Sequence, residues 1–319
     1  MKLHKMINLI RNENMKISHR ISTWIMVGAL ILIIIVAGLL YRFAMPQGDS
    51  TGWKEDLTKQ NQSSQTMINT AGIPQNTKEI YVKQIKINEY SIKNDIQPVQ
   101  ANTLWGFVNL SSGFIMFISL FAIIIGSGIV ASEFSGGTIK LLLIRPSKRW
   151  KILVSKYLTV ILYALFMLIL AFSFSFLLGG ILFSFKGVNQ PFLKYANGGV
   201  QEVNMVAHII GIYALKSVNL VMMVTLAFMI STVFRNSGLA IGIGVFLLTM
   251  GSFVTNILAQ LFTWPKYILF ANTDLTQYTT GNPLINGMTM SFSITMILIY
   301  FVIFNVISFL GFTKRDVSV

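Results

Sequence analysis

Between residues 131 and 157 the chain reads ASEFSGGTIKLLLIRPSKRWKILVSKY, and its ionisable side chains crowd there. Glu133 stands with Lys140, Arg145, Lys148, Arg149, Lys151 and Lys156 between two long apolar runs. One carboxylate among six cations offers no acid–base pair. The chain has no cysteine, which removes disulfides, Fe–S clusters and thiolate zinc sites, and no metal site is expected. It has no H-E-x-x-H, no pair of carboxylates inside an apolar run and no phosphate-cradling G-x-x-x-x-G-K-[ST]; its Lys216–Ser217 pair lacks the glycines of such a loop. The chemistry left to this segment is recognition. Ser132 or Ser135 is expected to cap a helix with Glu133 near its positive end. Gly136 and Gly137 permit a tight redirection of the chain. Residues 138–144 then make about two turns, with Ile139, Leu141, Leu142 and Leu143 apolar and Lys140 polar, until Pro146 stops them. Arg145, Lys148, Arg149 and Lys151 fall at the level of lipid phosphates. Three consecutive leucines after a Gly-Gly turn need an apolar groove to cover them.

The rest of the chain must hold this segment at a membrane. It is 54% hydrophobic and only 11% charged, with mean hydropathy +0.66, against about 25% charged in soluble domains. Six apolar runs, 21–43, 104–131, 152–182, 212–234, 239–262 and 288–312, are each long enough to cross the hydrocarbon core as helix. Without strict alternation they are not barrel strands. The expected fold is an all-α membrane protein of six transmembrane helices. A basic leader precedes the first run, whose apolar core is too long for a signal peptide, so that helix is expected to be retained. Residues 1–20 place Leu3, Ile7, Ile10 and Ile17 near one face, an amphipathic helix in the headgroup layer or a leader that fixes orientation. With both termini inside, 14 of the 25 Lys and Arg face the cytoplasm beside three acids, Glu13, Glu133 and Asp316, as the positive-inside rule requires. The expected location is a bacterial plasma membrane. The basic balance thus reflects membrane placement and not nucleic acid.

Two polar regions are expected on the outer face. Residues 44–103 are read as a helical hairpin, broken at 72–74, although Ile80-x-Val82 and Ile85-x-Ile87 also fit a strand. Residues 183–211 form a Gly- and Asn-rich loop. In 263–287, Trp264, Pro265, Tyr267, Tyr278 and Pro283 suit either short re-entrant helices or an aromatic belt.

The segment around Glu133 resembles the membrane-spanning subunits of ABC transporters in the ABC type-2 permease family. That family carries E-x-x-x-G-T-x-x-x-L-L-x-x-P-x-(S/K)-R after its second helix. Here the pattern is met by Glu133, Gly137, Thr138, Leu142, Leu143, Pro146, Ser147 and Arg149, with Lys148 additional and Lys156 following. The resemblance implies a cytoplasmic coupling helix that contacts an ATPase subunit through Glu133, Gly137, Thr138, Lys140, Leu141, Leu142, Leu143, Arg145, Pro146 and Arg149. It implies a non-catalytic permease subunit of an exporter, moving a drug, antimicrobial peptide or lipid-like amphiphile. ABC ATPase subunits, a second permease chain and membrane lipid are the implied partners. This chain would bind no cofactor; ATP and magnesium would sit on the ATPase. The large first outer loop departs from the simplest members.

Inside the spans, Lys216 either snorkels to the outer interface or joins a substrate path with Asn109, Asn219 and Asn256. Gly238-x-x-x-Gly242, overlapping Ala240-x-x-x-Gly244, offers a smooth face for a dimer seam. His208 reads as interfacial. Paired intramembrane charges of the kind that couple ions in secondary transporters are missing. A membrane sensor or immunity protein that binds a peptide or lipid through its outer loop is the competing function.

Overall fold

The computed structural model describes residues 2–44, 52–73, 75–100, 102–138, 148–185, 187–196, 198–234, 236–281 and 283–313. Among them, six helices or helix pairs are long and apolar enough to cross a membrane. Helix α1 (Lys2–Ser18) leads into the first span, α2 (Ile21–Phe43). The joint between them is fastened from the α2 side: the Thr23 hydroxyl donates to the Ile17 carbonyl at 2.7 Å and the Trp24 indole to the Ser18 carbonyl at 2.8 Å. Those bonds occupy carbonyls that the end of α1 would otherwise leave open.

The second span is broken. α5 (Leu104–Ser111) passes through a 3₁₀ turn, Ser112–Phe114, into α6 (Ile115–Ser135). α6 runs four residues beyond the expected end at Ala131, so Ser132 and Ser135 do not cap a new helix. Glu133 therefore sits in the last turn of α6, at the negative end of the helix dipole and not at a positive one. Gly136 and Gly137 end the helix. A side chain at Gly136 would meet the Ser132 carbonyl at 2.9 Å, and Gly137 adopts φ +69°. The third span, α7 (Arg149–Phe183), has 35 residues. The fourth is α8 (Met205–Val233), the fifth α9 (Ser237–Leu261) and the sixth α12 (Met290–Thr313).

The α5–α6 span is the axis of the bundle, about two-thirds buried, whereas α9 and α12 are exposed along most of their length. At Gly244, α9 lies so close to α6 that a Cβ would stand 2.7 Å from Ile123 and 3.0 Å from Ser127. At the end shared by α1 and the close of α12, the Ser231 hydroxyl of α8 accepts from the Val130 and Ala131 amides of α6, both at 3.0 Å.

At the opposite end, α3 (Trp53–Asn69) and α4 (Gln75–Lys93) form the expected helical hairpin. Asn88 pins it, donating to Gln60 at 3.2 Å and Asn61 at 2.8 Å. The all-α expectation gives way next to it. Strands β1 (Phe192–Ala196) and β2 (Gly199–Val203) pair antiparallel, with Phe192 opposite Val203. The sequence signal is Asn197–Gly198, the Asn-Gly pair that favours tight hairpins, with Gly198 at φ +82°. The sheet leans on α4, where Lys86 donates to the Tyr195 hydroxyl at 3.1 Å and Tyr90 to Glu202 at 3.0 Å. His208 stacks on Phe192 with centroids 3.5 Å apart, joining the sheet to α8.

Residues 263–287 fold back as a 3₁₀ turn (Trp264–Tyr267), α10 (Leu269–Asn272) and α11 (Gln277–Thr280). Fully buried Asn272 holds them. Its amide donates to the carbonyls of Lys266 at 2.7 Å and Ile268 at 2.8 Å, and its oxygen accepts from Ser293 of α12 at 2.7 Å. Asn272→Ala should remove all three bonds, leaving Ile268 only the Ala271 amide and Ser293 only Tyr278, and cost about 1–3 kcal/mol, read as a lower melting temperature in detergent micelles. Ser293→Ala should cost less, and an unchanged melt in Asn272→Ala would show that the loop is not held by this residue.

Candidate functional site

The inward stripe of α1 runs through half-buried Met6 and Ile10 to buried Glu13 and Ile17, spaced by four, three and four residues. Ile7, expected on that face, is instead exposed. A carboxylate therefore occupies a position where an amphipathic helix would carry an apolar side chain, and it is matched from α7. Lys156 is 1% exposed, and its ammonium makes three bonds. It donates to Glu13 Oε2 at 2.8 Å, to Glu133 Oε1 at 3.0 Å and to the Ile129 carbonyl at 3.2 Å. An ammonium has three protons, so Lys156 is saturated.

Lys16 closes the ring from the solvent side, reaching Glu13 Oε1 and Glu133 Oε1, each at 3.0 Å. Two cations and two carboxylates balance, which makes burial tolerable. Burial alone would lower the Lys16 pKa, but hydrogen bonds and charge from Glu13 and Glu133 outweigh it and hold it above the ordinary 10.5. A pKa raised on folding stabilises fully below the unfolded value and is lost as pH rises through the folded one. The Lys16 contact is therefore at full strength at neutral pH and fades only in strong alkali.

The second oxygen of Glu133 takes the hydroxyl of Thr138 across the Gly136–Gly137 turn. One carboxylate thus touches α1 through Lys16, α7 through Lys156 and the start of the 139–147 segment through Thr138. The spacing Glu133–Gly137–Thr138 acquires a physical meaning: a left-handed glycine lets the threonine turn back onto the acid. On the far side of the segment, Arg149 donates to the Thr313 carbonyl of α12 at 3.4 Å. Lys140, Leu141, Leu142, Leu143, Arg145 and Pro146 lie outside the described residues, as does the expected 138–144 helix beyond Thr138.

The expected path residues separate. Lys216 and Asn219 line one cavity, in which Lys216 donates to Ser112 at 2.8 Å. Asn109 is exposed on α5, and exposed Asn256 donates to the Ser252 carbonyl of its own helix. Of the overlapping small-residue pairs, Ala240 and Gly244 are buried, with Gly244 spent on the α6 contact, while Gly238 and Gly242 are exposed. Glu13 and Lys16 were not singled out by sequence reasoning. The available signal was an acid in register with the apolar stripe of an otherwise basic helix.

Residues 70–318, taking in every span but the first, match the family described as protein of unknown function (DUF2705). The chain belongs to the DUF2705 family. Over 315 residues it is 44% identical to the uncharacterized protein YhcI of Bacillus subtilis (strain 168), covering 98% of this chain and all of that one. Over 217 residues it is 37% identical to the uncharacterized membrane protein YdbK of the same organism, covering 67% of this chain and 83% of the relative. With its six apolar helices, this DUF2705 protein is a multi-pass membrane protein.

Lys156→Met would leave two buried carboxylates sharing only Lys16, at a cost of about 3–5 kcal/mol. The chain has no cysteine of its own, so Ile17→Cys, buried against the bundle, can report on α1. Its maleimide labelling in micelles should be slow in the parent and at least tenfold faster with Lys156→Met. Glu13→Gln together with Glu133→Gln should restore part of the protection in the Lys156→Met background. Equal labelling with and without Lys156 would show that the ion network does not hold α1.

Proposed function

We propose that this chain is the membrane-spanning subunit of an ATP-driven exporter, and that residues 139–147 are the element on which a separate ATPase subunit acts. One observation carries the reading. Glu133 binds Thr138, the residue that leads into that segment, with one oxygen and the cations of α1 and α7 with the other. A push on the segment is then delivered to three helices at once. A solvated loop has no use for such a linkage, whereas a lever needs one.

The sequence of the segment supports the same reading: Leu141, Leu142 and Leu143 give an apolar face, with Lys140, Arg145 and Arg149 around it. The chain encodes no phosphate-cradling loop, so ATP and magnesium belong to the partner. The concentration of Lys and Arg at the end of the bundle holding α1 supports a cytoplasmic position for that end. It supports an extracytoplasmic position for the α3–α4 hairpin and the β-sheet. A second permease chain, like or unlike, would complete the pathway along the exposed α9 and α12. Nucleotide-driven closure of the ATPases would then switch the pathway between inward and outward access.

Affinity-purified chain from native membranes should bring with it vanadate-sensitive ATP hydrolysis. Arg145→Glu, Arg149→Glu and Leu142→Asp combined should reduce the co-eluting activity at least tenfold while leaving the melting temperature of the chain unchanged. The reading fails if no ATP hydrolysis accompanies the parent chain, or if the triple variant retains it in full.

A further inference from the structure

Two clefts of useful size open on the bundle. The larger, about 660 Å³, lies between α1, α2 and α7, where lipid tails would reach it; it is lined mainly by apolar side chains, with Arg11 its single charged group. The smaller, about 320 Å³, sits toward the other end and carries opposite charges. Lys216 of α8 and Ser112 of the 3₁₀ break form one side. Asp274, between α10 and α11, and Thr249 and Ser252 of α9 also line the cleft. Met116, Met223, Leu248 and Phe270 supply an apolar lining. Lys216 is about 16 Å along α8 from its start at Met205.

The two charges in this cleft attract each other without direct contact. Lys216 donates to the Ser112 hydroxyl at 2.8 Å and, among the described residues, forms no ion pair with Asp274. One hydroxyl accounts for one of three ammonium protons. Asp274 Oδ1 accepts from the Thr276 amide at 3.0 Å and hydroxyl at 2.5 Å, which fixes the carboxylate and leaves Oδ2 for another donor. The contrast with Lys156, buried and saturated by two carboxylates and a carbonyl, is direct. A lysine inside a span costs about 2.5–3.5 kcal/mol on insertion scales, and here the Asp274 charge offsets it only from a distance, without an ion pair. A half-buried cation and a fixed anion, held apart across one cavity with an apolar wall, complement a molecule with both charges and a hydrocarbon part.

We propose that this cleft binds the head of a zwitterionic amphiphile, its anionic group on Lys216 and Ser112, its cationic group on Asp274, and its tail along Met116, Met223, Leu248 and Phe270. The assignment deepens the export reading by naming the class of substrate, and it rests on that reading only for the step after binding. A peptide-derived and a phospholipid amphiphile share this chemistry; a single-chain lipid isolates the head-group requirement.

The test is a thermal-shift titration of the full chain in maltoside micelles with palmitoyl lysophosphatidylethanolamine and, in parallel, palmitoyl lysophosphatidylglycerol, which lacks the ammonium. The ethanolamine lipid should stabilise saturably, with half-saturation at least tenfold lower than the glycerol lipid. Asp274→Asn, at an exposed position that folding tolerates, should erase that preference by weakening only the ethanolamine lipid. Lys216→Met should weaken both lipids, and Lys216→Arg should retain both. Equal half-saturation of the two lipids in the parent, or a preference that survives Asp274→Asn, overturns the proposal. Binding needs no ATPase. A positive titration without co-eluting ATP hydrolysis would therefore sink export and leave the site standing, and the reverse result would do the opposite.

Discussion

Everything at the α1 end of this protein depends on where the Lys156 charge can go. Lysine at a position 1% exposed is tolerable only with full compensation, and the compensation comes from two elements that are otherwise independent. Glu133 lies in the last turn of α6, where the helix dipole disfavours a negative charge. Glu13 lies on the buried face of a surface helix. Each of the three residues is badly placed for its own helix and well placed for the other two. The arrangement is therefore cooperative: removing one partner leaves a buried charge, and the others lose their reason to stay. Such a network adds little net stability compared with an apolar core, but it specifies which helices meet and in what register.

The Gly136–Gly137 turn is followed by a hydroxyl that the network uses. Without it the outward oxygen of Glu133 would be left to water and the tie to the start of the segment would be lost. Thr138 supplies the donor because the φ of +69° at Gly137 turns it back onto the acid. The segment is thereby anchored on its first side by a residue that is itself anchored to α1 and α7. On its second side, Arg149 reaches the close of α12. On the export reading, anchors on both flanks are what a segment that receives force requires.

The membrane spans were legible in the sequence because the bilayer imposes length and apolarity on each segment by itself. Their ends were less so. α8 begins at Met205, seven residues before the expected 212, because His208 is accommodated by stacking on Phe192, a contact that exists only once the β-sheet has formed. The signal for that sheet is Asn197–Gly198, but within a Gly- and Asn-rich loop between spans one such pair does not stand out. Glu133 stands out in the sequence by its spacing to Gly137 and Thr138, but it closes α6 instead of opening a helix, although Ser132 and Ser135 look like caps. Glu13 entered only as one acid in a topology count. Its role depends on Lys156, 143 residues away, and no local pattern reports such a pairing. The small residues of α9 show the same limit. Spacing alone does not say that Gly244 meets Ile123 within the chain while Gly238 and Gly242 stay exposed.

The two polar centres lie toward opposite ends of the same pair of helices. α6 starts beside Ser112, against the Lys216 cleft, and finishes with Glu133, about 30 Å further along the helix. α8 carries Lys216 in its first half and, near its far end, Ser231, whose hydroxyl takes the Val130 and Ala131 amides. Close packing between these helices, with Ala227 beside Gly126, leaves little room for one to slide along the other. A displacement imposed at Glu133 must then be absorbed where the ladder of backbone hydrogen bonds is weakest. In this span that place is the 3₁₀ turn at Ser112–Phe114, where i to i+3 bonding replaces the α-helical pattern. Ser112 is also the residue that holds the Lys216 ammonium. On the export reading, the joint that yields when the segment is pushed is the one that presents the cation to the substrate. Binding and release then need no hinge other than this one.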